Sequence, residues 1–262
     1  MCVTQQKPAR PQRRGRFAII TAPKFSEDRP MTVGIIGAME PEVSGLIAKL
    51  ADHRCEQVGF TQFHFGTLGS HEVVVAQCGI GKVAAGAITA LMITCAHASC
   101  IINTGCAGAV SPSLKIGDIV FSSSAAYHDA DLTAFGYPMG QMAGQDRLFN
   151  ADPLLMAKAG VAAGNLPELK GKVRQGLVVS GDQFINTREK RAAIAAIYPE
   201  ALVAEMEGAA VAQVAAACKV PFLVIRAVSD EASEGTTANY DEFMPKAAAL
   251  SERLVTGLIN LL

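Results

Sequence analysis

From Met31 onward, short apolar runs of strand length alternate with alanine-rich runs of helical length, and no other feature restricts the fold as much. Residues 32–38 are predicted as a buried strand and 42–50 as a helix. Residues 62–68 and 71–77 flank Gly69-Ser70, a two-residue hairpin turn. Residues 82–97 read as a helix, and 100–104 as a strand ending in a small-residue loop, Gly105-Cys106-Ala107-Gly108. After a strand at 118–122, residues 127–150 show no clear period and are expected as a long ordered loop, a length usually functional or partner-binding. Then follow helix 152–164, strand 172–179, helix 187–198, strand 202–205, helix 208–218, strand 221–228 and a final helix over about 241–261. This order predicts an α/β protein, with helices around a largely buried sheet that the hairpin makes mixed.

At 262 residues, half of them hydrophobic and only 6% aromatic, the chain can bury a large core. No linker divides residues 31–262, which are expected to form one domain. No apolar stretch reaches the ~18 residues a membrane-spanning helix needs. The seven cysteines are scattered, without a CxxC pair, as suits reduced thiols in a cytoplasmic enzyme. Residues 1–30 carry Lys7, Arg10, Arg13, Arg14, Arg16, Lys24 and Arg29 against Glu27 and Asp28. This basic leader lacks the apolar core of a secretory signal and is expected to be a disordered extension, or to precede a functional start at Met31. The remainder is correspondingly acidic and has no electrostatic reason to bind nucleic acid.

Charges inside apolar runs are the informative exceptions, because an unpaired buried charge is expensive. Glu205 and Glu207 flank Met206 at the end of one predicted strand, and Arg226 lies within another that ends in Ser229-Asp230. Glu40 and Glu42 follow the first strand. Open α/β sheets place ligands at the carboxyl ends of their strands, so these groups predict a polar pocket there. Glu42 and Glu207 could simply favour helix N-termini, but that leaves Arg226 and Asp230 unexplained. Other motifs are weaker. Gly79-Ile80-Gly81-Lys82 lacks the Ser or Thr of a phosphate loop, and Gly34-Ile-Ile-Gly37 lacks the third glycine of a dinucleotide fingerprint. His128-Asp129-Ala130-Asp131 reads as a hydrogen-bonded loop rather than a metal site, and no His is placed in sequence to activate Cys106 as a nucleophile.

Five ordered motifs carry a specific resemblance: Gly34-Ile-Ile-Gly-Ala-Met-Glu-Pro-Glu42, the segment from Tyr127 to Tyr137, Ser180-Gly-Asp-Gln-Phe-Ile-Asn186, Glu205-Met-Glu207 and Arg226-Ala-Val-Ser-Asp230. Together they resemble the bacterial 5′-methylthioadenosine/S-adenosylhomocysteine nucleosidases of the purine nucleoside phosphorylase superfamily, over residues 31–262 and excluding the leader. The resemblance implies a three-layer α/β/α fold with a twisted mixed central sheet, a homodimer, and hydrolysis of an adenine N-glycosidic bond without metal or cofactor. By motif, Glu42 would activate water, Glu207 would bind the ribose hydroxyls, and Arg226 would orient the water and carboxylates. Asp230, steadied by Ser229, would act at adenine N7 as proton donor or hydrogen-bond relay. Phe184 and Ile185 would hold the base. Met39, Ile80, Met206 and Tyr240 would line the sugar and 5′-thio side, bordered by Cys106, Ala107 and Gly108, with Phe135 arriving from the partner subunit. The chain departs from the family pattern at Cys106, where Ser is common, at Tyr240 for Phe, and at Ala143 for Pro. On this reading Glu205 is only a structural neighbour.

Two competing readings follow. A phosphorylase on the same scaffold needs a cationic cradle, yet residues 31–110 contain a single arginine, Arg54. A non-catalytic nucleoside-binding protein could lose an acid without penalty, whereas Glu42, Glu207, Arg226 and Asp230 are all present. The preferred 5′ substituent, including an aminofutalosine-type one, lies outside what these motifs address.

Overall fold

A computed structural model describes residues 31–230 and 236–262, with side chains from 243 onward in the second segment. The leader and the Tyr240 side chain, both subjects of expectations above, lie outside the described residues. Strand β1 (Thr32–Gly37) leads into α1 (Glu40–Ala48), then β2 (Ala51–Val58), β3 (Thr61–Leu68), β4 (His71–Gln77) and α2 (Lys82–Thr94). Next come β5 (Cys100–Ala109), β6 (Ile119–Tyr127), β7 (Phe149–Asn150), α3 (Pro153–Gly164), β8 (Val173–Ser180) and α4 (Arg188–Ile197). The chain ends with β9 (Ala201–Glu205), α5 (Gly208–Ala217), β10 (Phe222–Asp230) and α6 (Thr236–Ile259).

The fold is mixed α/β around one mixed sheet, as the alternation predicts. Its strands run in the order β10-β6-β8-β9-β5-β1-β4-β3-β2, and β10 also pairs with β5. Five strands, β5, β10, β6, β8 and β9, therefore close into a ring from which β1, β4, β3 and β2 extend. Strands β1, β5 and β10 are mutually parallel, and β5 meets β9 antiparallel at Gly108 and Ala204. Every residue of β10 is buried. Apolar runs of this kind form strands because both faces are covered and β-branched side chains suit a pleated, packed surface. Helices α1 and α3 each pack on α6, while α2 packs on α5.

Three elements differ from the sequence expectation. Strand β2 has no apolar period; nearly all of it is exposed, and pairing with β3 holds it at the sheet's end. Its charged side chains suit an edge strand. The expected loop at 105–108 is strand instead: Gly105 to Gly108 pair with Arg226 to Asp230 of β10, and Gly108 also with β9. Low strand propensity is overridden there by neighbours on both sides. The last helix begins at Thr236, ahead of its predicted start. The stretch between β6 and β7 stays largely irregular, with one 3-10 turn at Thr133–Phe135.

The predicted hairpin is present, with Leu68 opposite His71 and Gly69 at φ 61°. A side chain at Gly69 would enter left-handed backbone and meet the Asn260 carboxamide. Gly69→Ala is expected to lower unfolding free energy by about 1–2 kcal/mol, read from urea denaturation midpoints.

Candidate active site

A cavity of about 480 Å³ opens where β1, β5, β9 and β10 end. Its lining includes Met39, Glu42, Ile80, Cys106, Ala107, Gly108, Phe184, Ile185, Met206, Glu207, Ser229 and Asp230. Every predicted site residue with a described side chain is thus brought together, except Arg226 and Phe135. Arg226 is 1% exposed and stands behind the wall, while Phe135 is 79% exposed and does not line this chain's own cavity.

Glu42 occupies the first turn of α1, whose start is set by Pro41. One carboxylate oxygen accepts from the backbone N–H of Ala38 (2.7 Å) and Met39 (3.0 Å), the other from that of Cys106 (3.1 Å). The glycine at 105 permits this approach: a Cβ there would lie 2.7 Å from Glu42 Oε1. Burial pushes the Glu42 pKa above its ordinary 4.5, against the pull of Arg226 and these three N–H groups. The helix-start explanation of Glu42 and the pocket explanation hold together, since the residue both caps α1 and faces the cavity.

Glu207 precedes α5 and accepts the N–H of Gly81 at 2.8 Å, which ties the start of α2 to the cavity. Its pKa is raised to about 7, by burial first and then by the Glu205 charge. Asp230 lies beyond a β-bulge: Val228 pairs with Ala107 and Asp230 with Gly108, leaving Ser229 as the extra residue. The bulge turns two consecutive side chains, Ser229 and Asp230, to the cavity. The Ser229 hydroxyl donates to Asp230 at 2.9 Å, the support the motif implies.

Glu205 has an extensive structural part: it pairs with the Arg226 guanidinium at 2.5 Å. It also accepts the N–H of Glu207 (3.0 Å) and Gly208 (2.8 Å) and the hydroxyl of Ser180. Burial opposes its charge, yet Arg226 and these donors hold its pKa below 4.5. Arg226 also donates to the Asn103 side chain (2.5 Å) and backbone carbonyl (3.2 Å). Sequence reasoning missed Asn103 and Ser180. Asn103 carried a usable signal, a carboxamide inside an apolar run, the same anomaly that exposed Arg226.

The weaker motifs resolve as structure. The N-terminus of α2 is taken by carboxylates, with Lys82 N–H donating to Asp182 at 2.9 Å and Gly81 to Glu207. Asp129 binds Lys82, and Asp131 caps Thr133, so the His128–Asp131 run is divided among separate bonds. The Cys106 thiol is pushed up to about 12 by burial and the Glu42 charge, which keeps it protonated and removes it as a nucleophile.

Two stability measurements follow. Glu205→Gln leaves the Arg226 charge uncompensated and is expected to cost about 3–5 kcal/mol in denaturant unfolding. Glu207 binds its proton more tightly folded than unfolded, so it favours the fold below pH 4.5 and loses that contribution as pH rises through about 7. Glu207→Gln should therefore gain about 3 kcal/mol relative to the parent between pH 4 and pH 8, checked by unfolding across that range.

The chain resembles known proteins over most of its length. The phosphorylase superfamily pattern matches residues 32–260. A 5′-methylthioadenosine/S-adenosylhomocysteine nucleosidase of Shewanella loihica is 43% identical over 230 residues, covering 88% of this chain and 99% of its own. The crystal structure of the nucleosidase of that name from Colwellia psychrerythraea, in complex with adenine, superposes with a TM-score of 0.84 at 40% identity, covering 88% and 96% of the two chains. Futalosine hydrolase of Helicobacter pylori is similar at 30% identity and TM-score 0.83, covering 88% and 98%. The chain belongs to the phosphorylase superfamily and, within it, to the 5′-methylthioadenosine/S-adenosylhomocysteine nucleosidases.

Proposed function

We propose that the protein hydrolyses the N-glycosidic bond of 5′-methylthioadenosine and S-adenosylhomocysteine, releasing adenine and the thio-substituted ribose. One observation carries the choice of water over phosphate. The cavity wall presents Glu42, Glu205, Glu207 and Asp230 and, among the described residues, no lysine, arginine or histidine. Arg226 is engaged by Glu205 and Asn103 behind the wall. Such a site repels a phosphate dianion and accepts neutral water.

The same charge suits the reaction. Cleavage builds positive charge on the ribose while adenine leaves, and fixed carboxylates stabilise that charge. Glu42, made more basic by burial, takes the proton of the attacking water. Glu207 binds the ribose hydroxyls, and Asp230 acts at the leaving base with Ser229 steadying it. Phe184 and Ile185 contact adenine, while Met39, Ile80 and Met206 border the sugar and thioether. Arg226 acts through Glu205, whose bonds to Glu207 N–H and Gly208 N–H fix the start of α5. The reaction so read calls on neither metal nor cofactor.

We take residues 31–262 as one domain, with α1, α3 and α6 on one side of the sheet and α2 and α5 on the other as outer layers. A homodimer is supported by the exposed Phe135, Met142 and Leu148 in the segment between β6 and β7. A cytoplasmic site is supported by the six free cysteines of the described residues. No described helix is long and apolar enough to cross a membrane.

Purified enzyme in phosphate-free buffer is expected to release adenine from both thioether nucleosides. Activity that requires added phosphate and yields ribose 1-phosphate would overturn the hydrolase reading. Futalosine-type nucleosides in the same assay test the more distant relationship. Glu42→Gln and Asp230→Asn should each reduce turnover by at least about 100-fold, with the loss in kcat.

A further inference from the structure

Two segments that border the cavity, around Ile80 and over residues 183–185, meet a third, which follows β6, at a charged cluster outside it. Lys82 Nζ lies 2.6 Å from Asp129 Oδ2 and 3.6 Å from Asp182 Oδ2. The same Asp129 oxygen accepts the N–H of Asp182 at 2.9 Å, and Asp182 accepts the N–H of Lys82 at 2.9 Å. Lys82 begins α2 directly after Ile80 and Gly81, Asp129 follows β6, and Asp182 precedes Gln183, Phe184 and Ile185. Two glycines bring their backbone close against side chains of the cluster. A Cβ at Gly181 would lie 2.5 Å from His128 Nε2 and 2.9 Å from Asp129 Cγ, and one at Gly81 would lie 3.0 Å from Asp182 Oδ1. Only glycine lets the three segments approach this far.

The mechanism above uses none of these charges, yet two sides of the cluster continue into cavity residues. Through Gly81 it reaches Glu207, which accepts that residue's N–H. Through Asp182 it reaches the base-side residues Phe184 and Ile185. Lys82 and Asp129 are mostly buried, with side chains 25% and 12% exposed, so their charge-assisted bond is only partly screened by water. We propose that Lys82, Asp129 and Asp182 are positioning residues that clamp the base-binding loop to the sugar-binding loop and so set the span across which the nucleoside is held. The proposal rests on the nucleosidase reading for its consequence in catalysis, though not for the clamp itself.

Base and sugar are gripped both in the bound substrate and at the transition state, so loosening the clamp removes uniform binding. Lys82→Met keeps the aliphatic stem and removes the ammonium; Asp182→Asn alters the more exposed partner and tests the same bond if Lys82→Met folds poorly. For each variant KM is expected to rise about 10- to 100-fold with kcat within about threefold of the parent, and Lys82→Arg should recover most of the loss. In substrate-free protein, amide hydrogen exchange over residues 181–186 should be faster in Lys82→Met and Asp182→Asn. Unchanged exchange, or a fall in kcat at constant KM, overturns the clamp. Faster exchange in a protein whose parent releases no adenine keeps the clamp and refutes the nucleosidase reading instead.

Discussion

The buried pair between Arg226 and Glu205 organises this site. A guanidinium placed in the middle of a fully buried strand needs a counter-charge and further acceptors, and Glu205 and Asn103 supply both. Glu205 in turn spends its remaining capacity on the N–H groups that open α5 and on Ser180. One ion pair thereby joins β5, β8, β9, β10 and the start of α5. It also divides the electrostatics. Neutralised by Glu205, Arg226 cannot fully offset Glu42 and Glu207, and both of those carboxylates have raised proton affinity.

Much of this was legible in the sequence, for a physical reason. Periodicity reports burial, so strands covered on both faces and helices with an apolar side stood out, and charges within such runs stood out against them. Strand β2 was invisible because seven of its eight residues are exposed and owe their conformation to β3. The 105–108 strand was invisible because Gly, Cys and Ala carry no local preference strong enough to announce it. Gly105 is bare to admit the Glu42 carboxylate, a constraint from a side chain more than sixty positions earlier. Motif resemblance found the cavity residues, whereas Glu205 had to be seen in three dimensions before its partners were known.

Function and stability pull against each other here. The acidic wall that suits a cationic transition state costs folding free energy, and the cost falls on Glu207, buried and then held near the Glu205 charge. Backbone N–H groups offset part of it at Glu42, where three converge on one carboxylate. Support is therefore concentrated behind the wall, in backbone amides and in Asn103, where it does not interfere with the cavity.

The ring formed by β5, β10, β6, β8 and β9 has a consequence for how the protein behaves in a crowded solution. Strands that pair on both sides offer no template to another chain. Apart from the two-residue β7, paired with β6 alone, growth of the sheet by a foreign strand is thus directed to the far end at β2, where Asp52, His53, Arg54 and Glu56 discourage it. The half of the sheet that does the chemistry is insulated from aggregation by its own closure, and the exposed half is insulated by charge.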